Sequence, residues 1–251
     1  MDIYYLFHSG FAVKSESCTV VFDFWHDPSK TLPGLLSDGK PIYVLCSHHH
    51  CDHFNKDVFS WKQKYGGVTF LFARDVFEAG LCTEDRVDHW FLKGDSWADG
   101  NIRVTAMGSN DCGVSWIVWL DGKCVFHAGD LNNWYAKYLD EKYSGRKIYS
   151  YEFQIDIDPA DEERKFLAEL EDIREVAGSF DVAFFPVDGR IGNGYTLGAR
   201  QFLQRFNVRL LVPMHFVLAG FQSAWRMNDY AVEAGAEFWC IPTNGAGYSV
   251  E

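Results

Sequence analysis

The spacing of apolar and polar positions divides the chain into strands and helices. Short runs rich in β-branched and aromatic residues, separated by turn residues, predict strands. Apolar residues that recur every three or four positions predict helices. The predicted strands are residues 3–7, 11–15, 18–25, 41–47, 67–73, 102–107, 181–189, 209–216 and 236–242, with a hairpin over 114–130; the predicted helices are 55–66, 158–178, 196–206 and 223–235.

The order of these elements favours a layered fold. Strands come first, and strands then alternate with helices, which is typical of sheets covered by helices in an α/β or α+β sandwich. No repeat, low-complexity tract or Pro/Gly-rich linker divides the sequence, so we predict one domain over 1–251. A helical insertion at roughly 134–177, with Asp158 as the helix cap and Pro159 in its first turn, is expected to cover an outer face or the mouth of a site.

Composition and net charge argue against several classes of protein. The chain has 251 residues, 47% of them hydrophobic, and a formal net charge of -12 without a run of Lys and Arg. A nucleic-acid partner is therefore not expected. The N-terminus lacks the pattern of a signal peptide, and no stretch of about 18 apolar residues predicts a membrane span. Seven scattered cysteines without a CxxC pair favour free thiols in the cytoplasm.

The stretch "CSHHHCDHFN", residues 46–55, concentrates metal-binding side chains directly after a predicted buried strand. His48 and His50 are two residues apart, so in extended backbone both can reach one ion while His49 points elsewhere. Asp52 and His53 add an oxygen and a nitrogen where the chain turns into its helix. Imidazole suits zinc, iron or manganese, and a carboxylate shifts the preference toward harder ions. The fixed spacing favours a metal site over a surface histidine tract.

Three motifs together resemble the metallo-β-lactamase superfamily of metal-dependent hydrolases. They are the His-x-His-x-Asp-His pattern, the apolar strand that ends in Gly-Asp within "CVFHAGDLNNW", and the histidine after the apolar strand in "RLLVPMHF". The opening "YYLFHSGFAV" resembles that of the branch that includes ascorbate-6-phosphate lactonase-like enzymes. The resemblance covers most of the chain and implies an α+β fold, a four-layered αβ/βα sandwich.

The resemblance also implies two metal positions. His48 and His50 would belong to the first, Asp52, His53 and His215 to the second, and Asp130 would bridge both. Two divalent ions, zinc before manganese or iron, would hold a hydroxide that attacks the substrate. Asp52 and Asp130 are accordingly the predicted catalytic residues.

One departure from the superfamily pattern affects the first metal position. The superfamily supplies a third histidine just before the strand pair that leads to Gly-Asp, but this chain reads "TAMGSNDCGVSW" there. Asp111 is the predicted replacement, with Ser109, Asn110 and Cys112 as further candidates. The alternative is a single ion held by the second position. An oxygen-richer first position would favour manganese or iron more than usual.

Other residues are candidates for contact with substrate or ligands. Arg190 suits an anionic group through forked hydrogen bonds, although a salt bridge would serve it equally well. Tyr195, Phe216 and Trp134 are further candidates for substrate binding, with burial in the core as the alternative for Trp134. His8 and His127 are predicted to contact metal ligands or simply to pack. Asp23 could bind a ligand histidine, but a strand-end cap is the default.

The favoured function is hydrolysis of a phosphodiester, a lactone or another ester of a small molecule. A nuclease of the same superfamily, a mononuclear iron thiol dioxygenase and a non-catalytic metal- or metabolite-binding protein are the alternatives. A small-molecule substrate is expected, without nucleic-acid or membrane partners, and the sequence does not predict an oligomeric state.

Overall fold

Two seven-stranded sheets form the centre of the fold, which is known from a computed structural model that describes residues 1–139, 145–150 and 154–251. Strands are numbered in chain order. The first sheet has the order β16–β1–β2–β3–β4–β5–β6 and becomes parallel from β3 onward. Its strands are β1 (Asp2–Phe7), β2 (Gly10–Lys14), β3 (Thr19–Phe22), β4 (Ile42–Cys46), β5 (Val68–Ala73), β6 (His89–Phe91) and β16 (Gly247–Ser249).

The second sheet has the order β15–β14–β13–β10–β9–β8–β7, and its strands from β10 to β15 are parallel. A separate two-stranded ribbon pairs β11 with β12. The strands are β7 (Ser96–Ala98), β8 (Ile102–Met107), β9 (Ser115–Leu120), β10 (Lys123–His127), β11 (Ile148–Ser150), β12 (Ile155–Ile157), β13 (Ser179–Pro186), β14 (Asn207–Met214) and β15 (Glu237–Phe238).

Among the residues that the structure describes, the helices are short, with one exception of 18 residues. The helices are α1 (Leu32–Leu35), α2 (Trp61–Tyr65), α3 (Asp75–Glu78), α4 (Pro159–Val176), α5 (Leu197–Leu203), α6 (Phe221–Trp225) and α7 (Met227–Glu233), and 3-10 turns cover Leu36–Asp38, Lys56–Ser60, Glu84–Arg86, Ala136–Tyr138 and Gly189–Ile191. Within the described ranges, no helix combines the length and the apolar character that a membrane crossing requires.

Aromatic side chains join the layers. Between the sheets, Phe11 of β2 and Phe184 of β13 pack with ring centroids 4.3 Å apart, and Phe91 meets Trp116 at 5.2 Å. Outside the second sheet, Phe202 of α5 packs on Phe185 of β13 at 4.8 Å. A second apolar cluster, which includes the buried Trp61 of α2 and residues of β4 and β5, covers the outer face of the first sheet. The predicted four-layered αβ/βα sandwich of the α+β class is therefore confirmed.

Local patterns predicted most elements well. The hairpin turns through Asp121 and Gly122, both with positive φ (45° and 75°), as the two-residue turn requires. Helix α4 begins after Asp158, whose carboxylate accepts a hydrogen bond from the Ala160 amide at 3.0 Å. Among the described residues of the predicted insertion at 134–177, a 3-10 turn and the ribbon β11–β12 precede the helix α4, and residues 140–144 and 151–153 lie outside the described ranges.

Three predicted elements are shorter or broken in the structure. The helix predicted over 55–66 consists of a 3-10 turn followed by α2, and the helix predicted over 223–235 divides into α6 and α7 at Arg226. The closing strand predicted over 236–242 extends only over Glu237–Phe238. Helices α2, α6 and α7 each begin without a side-chain cap, so packing rather than capping decides where they start.

Candidate metal centre

The candidate centre lies at the carboxyl ends of parallel strands from both sheets. The segment with the histidine cluster follows β4 of the first sheet, Asp130 follows β10 of the second, and His215 directly follows β14. Ligands in open sheets commonly bind at such strand ends, because the loops that follow the strands converge there. His8 joins the site from the turn between β1 and β2. The predicted ligands, which are far apart in sequence, therefore lie side by side.

The group predicted for the second metal position is compact. His8, Asp52, His53 and His215 each offer one ligand atom within 4.8 Å of the others. The Oδ2 atom of Asp52 lies 3.2 Å from Nε2 of His8 and 3.8 Å from Nε2 of His215. The ring centroids of His8 and His215 are 4.1 Å apart. His8 was predicted to contact metal ligands or to pack. In the structure it lies at least as close to Asp52 as the predicted ligand His215 does.

Asp130 lies between the two groups of histidines. Its Oδ1 atom is 3.1 Å from Nε2 of His53 and 3.5 Å from Nε2 of His215, and its Oδ2 atom is 3.5 Å from Nε2 of His48. One carboxylate therefore faces a histidine of the first position with one oxygen and two histidines of the second position with the other. This placement suits the bridging role that the sequence motif implied.

Buried carboxylates hold the far sides of two of these histidines. Asp23 accepts a hydrogen bond from Nδ1 of His53 at 2.7 Å and two more from the amide and hydroxyl of Ser47 at 2.7 and 2.6 Å. Asp188 lies 3.0 Å from Nδ1 of His215. Such contacts orient an imidazole and leave its Nε2 facing the site. Asp23 was a candidate partner of a ligand histidine, with a strand-end cap as the default, whereas the contact of Asp188 was not predicted; the available signal is that each acid follows a strongly apolar strand.

The buried charges shift one another's pKa. Burial alone would raise the pKa of Asp130, but His53, His215 and His48 outweigh it and hold this pKa well below its usual range. Burial alone would lower the pKa of His215, but Asp130 and Asp188 raise it to about 9. The same competition, with Asp130 and Asp23, raises the pKa of His53 well above its usual value. These shifts describe the metal-free protein, in which protons take the place of cations.

The group predicted for the first metal position is more open. Nε2 of His48 lies 3.1 Å from Nδ1 of His50, whose side chain is 42% exposed. Nδ1 of His50 is 3.7 Å from Oδ2 of Asp111. Asp111 therefore lies where the missing histidine was expected, and Cys112 lies beside it. Burial and the nearby Asp111 raise the pKa of the Cys112 thiol, so it carries its proton in the metal-free protein.

A cavity of about 540 Å³ opens above the centre. Its lining includes His50, Asp52, Asp111, Asp130 and His215 from the centre, and Asn110, Trp134, Tyr135, Ile155, Ile157, Glu162 and Arg190 from the surroundings. Trp134 donates a hydrogen bond from Nε1 to the Asp130 carbonyl at 2.8 Å, and its ring meets that of His215 edge-on. Trp134 thus lines the cavity as predicted. The ribbon β11–β12 and helix α4 supply part of the opposite wall, at the mouth of the site.

Two predicted substrate contacts lie elsewhere. Phe216 is fully buried and packs on Tyr5 and Phe221 at 5.4 and 5.2 Å, so the prediction that it contacts substrate is wrong. Strand β14 ends at Met214 and His215 has φ +62°, so the chain turns at His215 and carries the Phe216 ring into the core. Tyr195 lines a neighbouring recess, and its hydroxyl donates to the Ser223 carbonyl at 2.7 Å. The structure therefore places Tyr195 outside the cavity above the centre.

Arg190 and His127 have mainly structural contacts. The Arg190 guanidinium, at the rim of the cavity, donates hydrogen bonds to Asp188 from Nε and Nη2, at 2.8 and 2.6 Å. These two bonds occupy one edge of the guanidinium. His127 lies 2.9 Å from the Ser9 carbonyl through Nε2, accepts from the Gly129 amide at 3.2 Å, and stacks on Phe22. His127 therefore braces the loops behind the centre, and its nearest site acid, Asp23, is 3.8 Å away.

The side chains present fit metal ions. Nε2 of His53 and Oδ1 of Asp130 are both buried. Within the described part of the chain, neither atom forms a hydrogen bond of good geometry. The same is true of both ring nitrogens of His8. Buried polar atoms normally have partners, so their convergence at one point indicates that a cation completes the site. Imidazole, carboxylate and thiol groups are the ligands that zinc and related metals take. The identity and number of the ions stay predictions.

Comparisons with known proteins agree with this fold and chemistry. No family model matches the chain. A UPF0173 metal-dependent hydrolase of Symbiobacterium thermophilum is 25% identical over 227 residues, which cover 86% of this chain and 84% of that protein. The solved structure of Igni18, a metallo hydrolase of Ignicoccus hospitalis, has a TM-score of 0.66 at 16% identity and covers 100% of this chain and 99% of its own.

A second similar structure belongs to a protein that is described by the name of its fold. The metallo-beta-lactamase fold protein YhfI of Bacillus subtilis has a TM-score of 0.64 at 13% identity, over 98% of both chains. The prediction of a metal-dependent hydrolase with this fold is confirmed at that level of detail. The chain therefore has the metallo-β-lactamase fold and is similar in sequence to UPF0173 metal-dependent hydrolases.

Proposed function

We propose that the protein hydrolyses an ester of a small molecule, a lactone or another carboxylic ester before a phosphodiester, and that it binds two divalent cations, zinc first among them. Six residues would hold the ions: His48, His50, Asp52, His53, Asp130 and His215. Asp111 and the residue beside it, Cys112, would complete the first position. Such ions lower the pKa of water and stabilise negative charge that develops on substrate oxygens. The observation that carries the proposal is the Asp130 carboxylate, which faces His53 and His215 with one oxygen and His48 with the other.

The chain's own acids prepare the histidines for this task. Asp23 and Asp188 accept from Nδ1 of His53 and His215, which fixes the proton of each ring on the side away from the cavity. When an ion displaces the proton on Nε2, each ring can bind it there while the Nδ1 proton stays in place. Because both acids are buried, this orientation exists before substrate arrives.

The walls of the cavity support a substrate with an apolar portion. Trp134, Tyr135, Ile155 and Ile157 line it away from the centre. Glu162 adds a carboxylate to that wall, and Arg190 at the rim is already paired with Asp188. A polyanion would meet uncompensated negative charge here, whereas a neutral ester would not. A nucleic-acid substrate is therefore disfavoured, in agreement with the net charge of -12.

A cytoplasmic location is part of the proposal. All seven cysteines are free thiols, including the exposed Cys51 and Cys240. Exposed free thiols persist in a reducing compartment.

The test begins with elemental analysis of protein purified without added metal and without a histidine tag. Two ions per chain, followed by turnover of alkyl-substituted lactones or 4-nitrophenyl esters in preference to bis(4-nitrophenyl) phosphate, would support the proposal. The Asp130→Asn variant is the matched negative control, because it keeps the shape of the side chain and removes its charge. Failure to bind metal after reconstitution would overturn the proposal.

Other outcomes point to the alternative functions. Iron in the purified protein, with oxygen uptake on thiol substrates, would indicate a dioxygenase. Cleavage of RNA or DNA that weakens steeply with salt and with Arg190→Ala would indicate a nuclease. Tight metal binding without turnover of any substrate class would indicate a binding protein.

A further inference from the structure

The loop of residues 109–113 takes the place in the fold where the superfamily supplies a histidine. Four atoms converge there: Nε2 of His48, Nδ1 of His50, Oδ2 of Asp111 and Sγ of Cys112. The sulfur is 4.0 Å from Nδ1 of His50 and 3.4 Å from Oδ2 of Asp111. We propose that Cys112 is a thiolate ligand of the first metal ion and, together with Asp111, replaces the missing histidine. This inference rests on the proposed metal-dependent function.

The distances match what a small tetrahedral ion requires. Bonds of about 2.0 Å to nitrogen or oxygen and about 2.3 Å to sulfur separate neighbouring ligand atoms by roughly 3.3–3.7 Å. The separations of 3.1 Å between the two histidines, 3.7 Å from His50 to Asp111 and 3.4 Å from Asp111 to Cys112 lie close to these values, and the 4.0 Å from Nδ1 of His50 to the sulfur is somewhat longer. Small side-chain rotations would therefore complete the set without movement of the backbone.

The backbone of the loop is fixed against the strand end that carries His48. Gly113 has φ +62°, and a Cβ there would lie 2.0 Å from the Ser47 carbonyl oxygen and 2.6 Å from Cβ of His48. The Val114 amide donates to the Ser47 carbonyl at 2.9 Å. Only glycine allows this close approach, and it brings Asp111 and Cys112 to the two histidines.

A second anchor holds the other end of the loop. Asn110 donates from Nδ2 to the Asn132 carbonyl at 2.9 Å and accepts from the Asn132 amide at 3.1 Å. Asn132 follows Asp130 by two residues, so this pair ties the loop to the segment that carries the bridging carboxylate. The loop is therefore positioned from both sheets, as a ligand-bearing loop needs to be.

A competing partner for the cysteine is less available. His49 and Asp75 also lie near Cys112, but Nδ1 of His49 is already 2.9 Å from Oδ2 of Asp75. Nε2 of His48 and Nδ1 of His50 lie 3.1 Å apart, and Nδ1 of His50 also faces Asp111 of the loop at 3.7 Å. The sulfur therefore completes the His48 and His50 pair rather than forming a separate site.

The chemistry of a thiolate changes the expected metal. When the ion binds, the sulfur–metal bond forms as the thiol releases its proton to solvent. A soft sulfur ligand favours zinc, whereas a purely oxygen replacement would have favoured manganese or iron. With Asp130 shared between the two positions, the first would offer two imidazoles, two carboxylates and one thiolate, and the softness of the sulfur would select for zinc.

Cobalt(II) is the probe for this inference. Metal-free protein titrated with cobalt(II) under anaerobic conditions should develop a sulfur-to-cobalt charge-transfer band in the near ultraviolet. Cys112→Ser should lose the band and weaken one of the two ions by at least the roughly 10- to 100-fold that supporting residues of metal sites contribute. Cys51→Ser is the matched control, because Cys51 is exposed within the same histidine segment, and it should keep the band.

The outcomes separate this inference from the proposed function. Cobalt binding without the band, or a band that survives in Cys112→Ser, would overturn the role of Cys112 and leave the hydrolase proposal standing. No binding of cobalt or zinc would overturn both. If Cys112→Ser does not fold, X-ray absorption of the zinc-loaded native protein decides, because a sulfur neighbour at about 2.3 Å is then required.

Discussion

The two metal positions differ in how their histidines are held. His53 and His215, at the second position, are buried, and each contacts a buried carboxylate, at 2.7 and 3.0 Å. At the first position His48 is likewise buried, with Nδ1 2.9 Å from the Ser47 hydroxyl, but the His50 side chain is 42% exposed, and its neighbours Asp111 and Cys112 belong to a surface loop. Orientation by fixed partners reduces what must be ordered when an ion binds. We therefore expect the second position to bind metal more tightly and the first to exchange its ion during dialysis.

The strongest test removes the group that both positions share. Asp130→Ala should abolish turnover, by roughly 10³-fold or more in kcat/KM, and release metal from both positions, because one carboxylate faces both sets of histidines. Kinetics with the best substrate and elemental analysis of the same sample measure this. Loss of only one ion would contradict a bridging role, and circular dichroism of Asp130→Asn controls for misfolding.

The second position should also set the pH dependence of the metal-free protein. The pKa of His215 is about 9 in the folded chain, whereas an unfolded histidine has a pKa of about 6.5. Its contribution to stability is therefore complete below pH 6.5 and is lost as the pH rises to 9. The free energy of unfolding should fall by about 3 kcal/mol over this window.

Urea unfolding in a chelator, at several pH values, measures this slope. His215→Gln should flatten it, because glutamine does not titrate. A native profile without a decline between pH 6.5 and 9 would show that the charges around His215 do not act as described.

A supporting carboxylate should matter less than a shared ligand. Asp188→Asn should weaken the second ion by roughly 10- to 100-fold, because His215 loses the partner of its Nδ1 atom. Competition with a fluorescent zinc chelator measures the affinity. Asp229→Asn, on the exposed surface of α7, is the matched control and should bind like the native protein. Equal affinities for all three proteins would contradict the contrast between the two positions.

The smallest effect is expected at the surface loop. Asp111→Ala should weaken the first ion by about 10-fold and leave the second unchanged, because Cys112 and the two histidines remain. Stepwise zinc titration by calorimetry resolves the two ions. Unchanged metal content and turnover would show that Asp111 is not a ligand.

The sequence predicted the centre best where its residues are close together in the chain. His48, His50, Asp52 and His53 follow one strand, and the spacing of His48 and His50 alone predicted that both can reach one ion. Asp130 and His215 could be added only through the resemblance of their motifs to a known superfamily. These six residues do converge in the structure.

The partners on the far side of the histidines were harder to predict. Asp23 precedes His53 by 30 residues, and Asp188 precedes His215 by 27, so each pair forms only when neighbouring strands are in register. The loop of residues 109–113 poses the same problem, because its approach to His48 depends on contacts between the sheets. Strand β16 was missed for a related reason, since Gly247–Ser249 is short and pairs with the distant β1.

The centre draws its ligands from both sheets, with the histidine segment after β4 of the first and Asp130 and His215 after β10 and β14 of the second. Bound ions would therefore link the two sheets and add their binding free energy to that of folding. A chain made in a metal-starved cell would lack this contribution and would be open more often to proteases. The abundance of the protein, and not only its activity, should then follow the supply of metal in the cell.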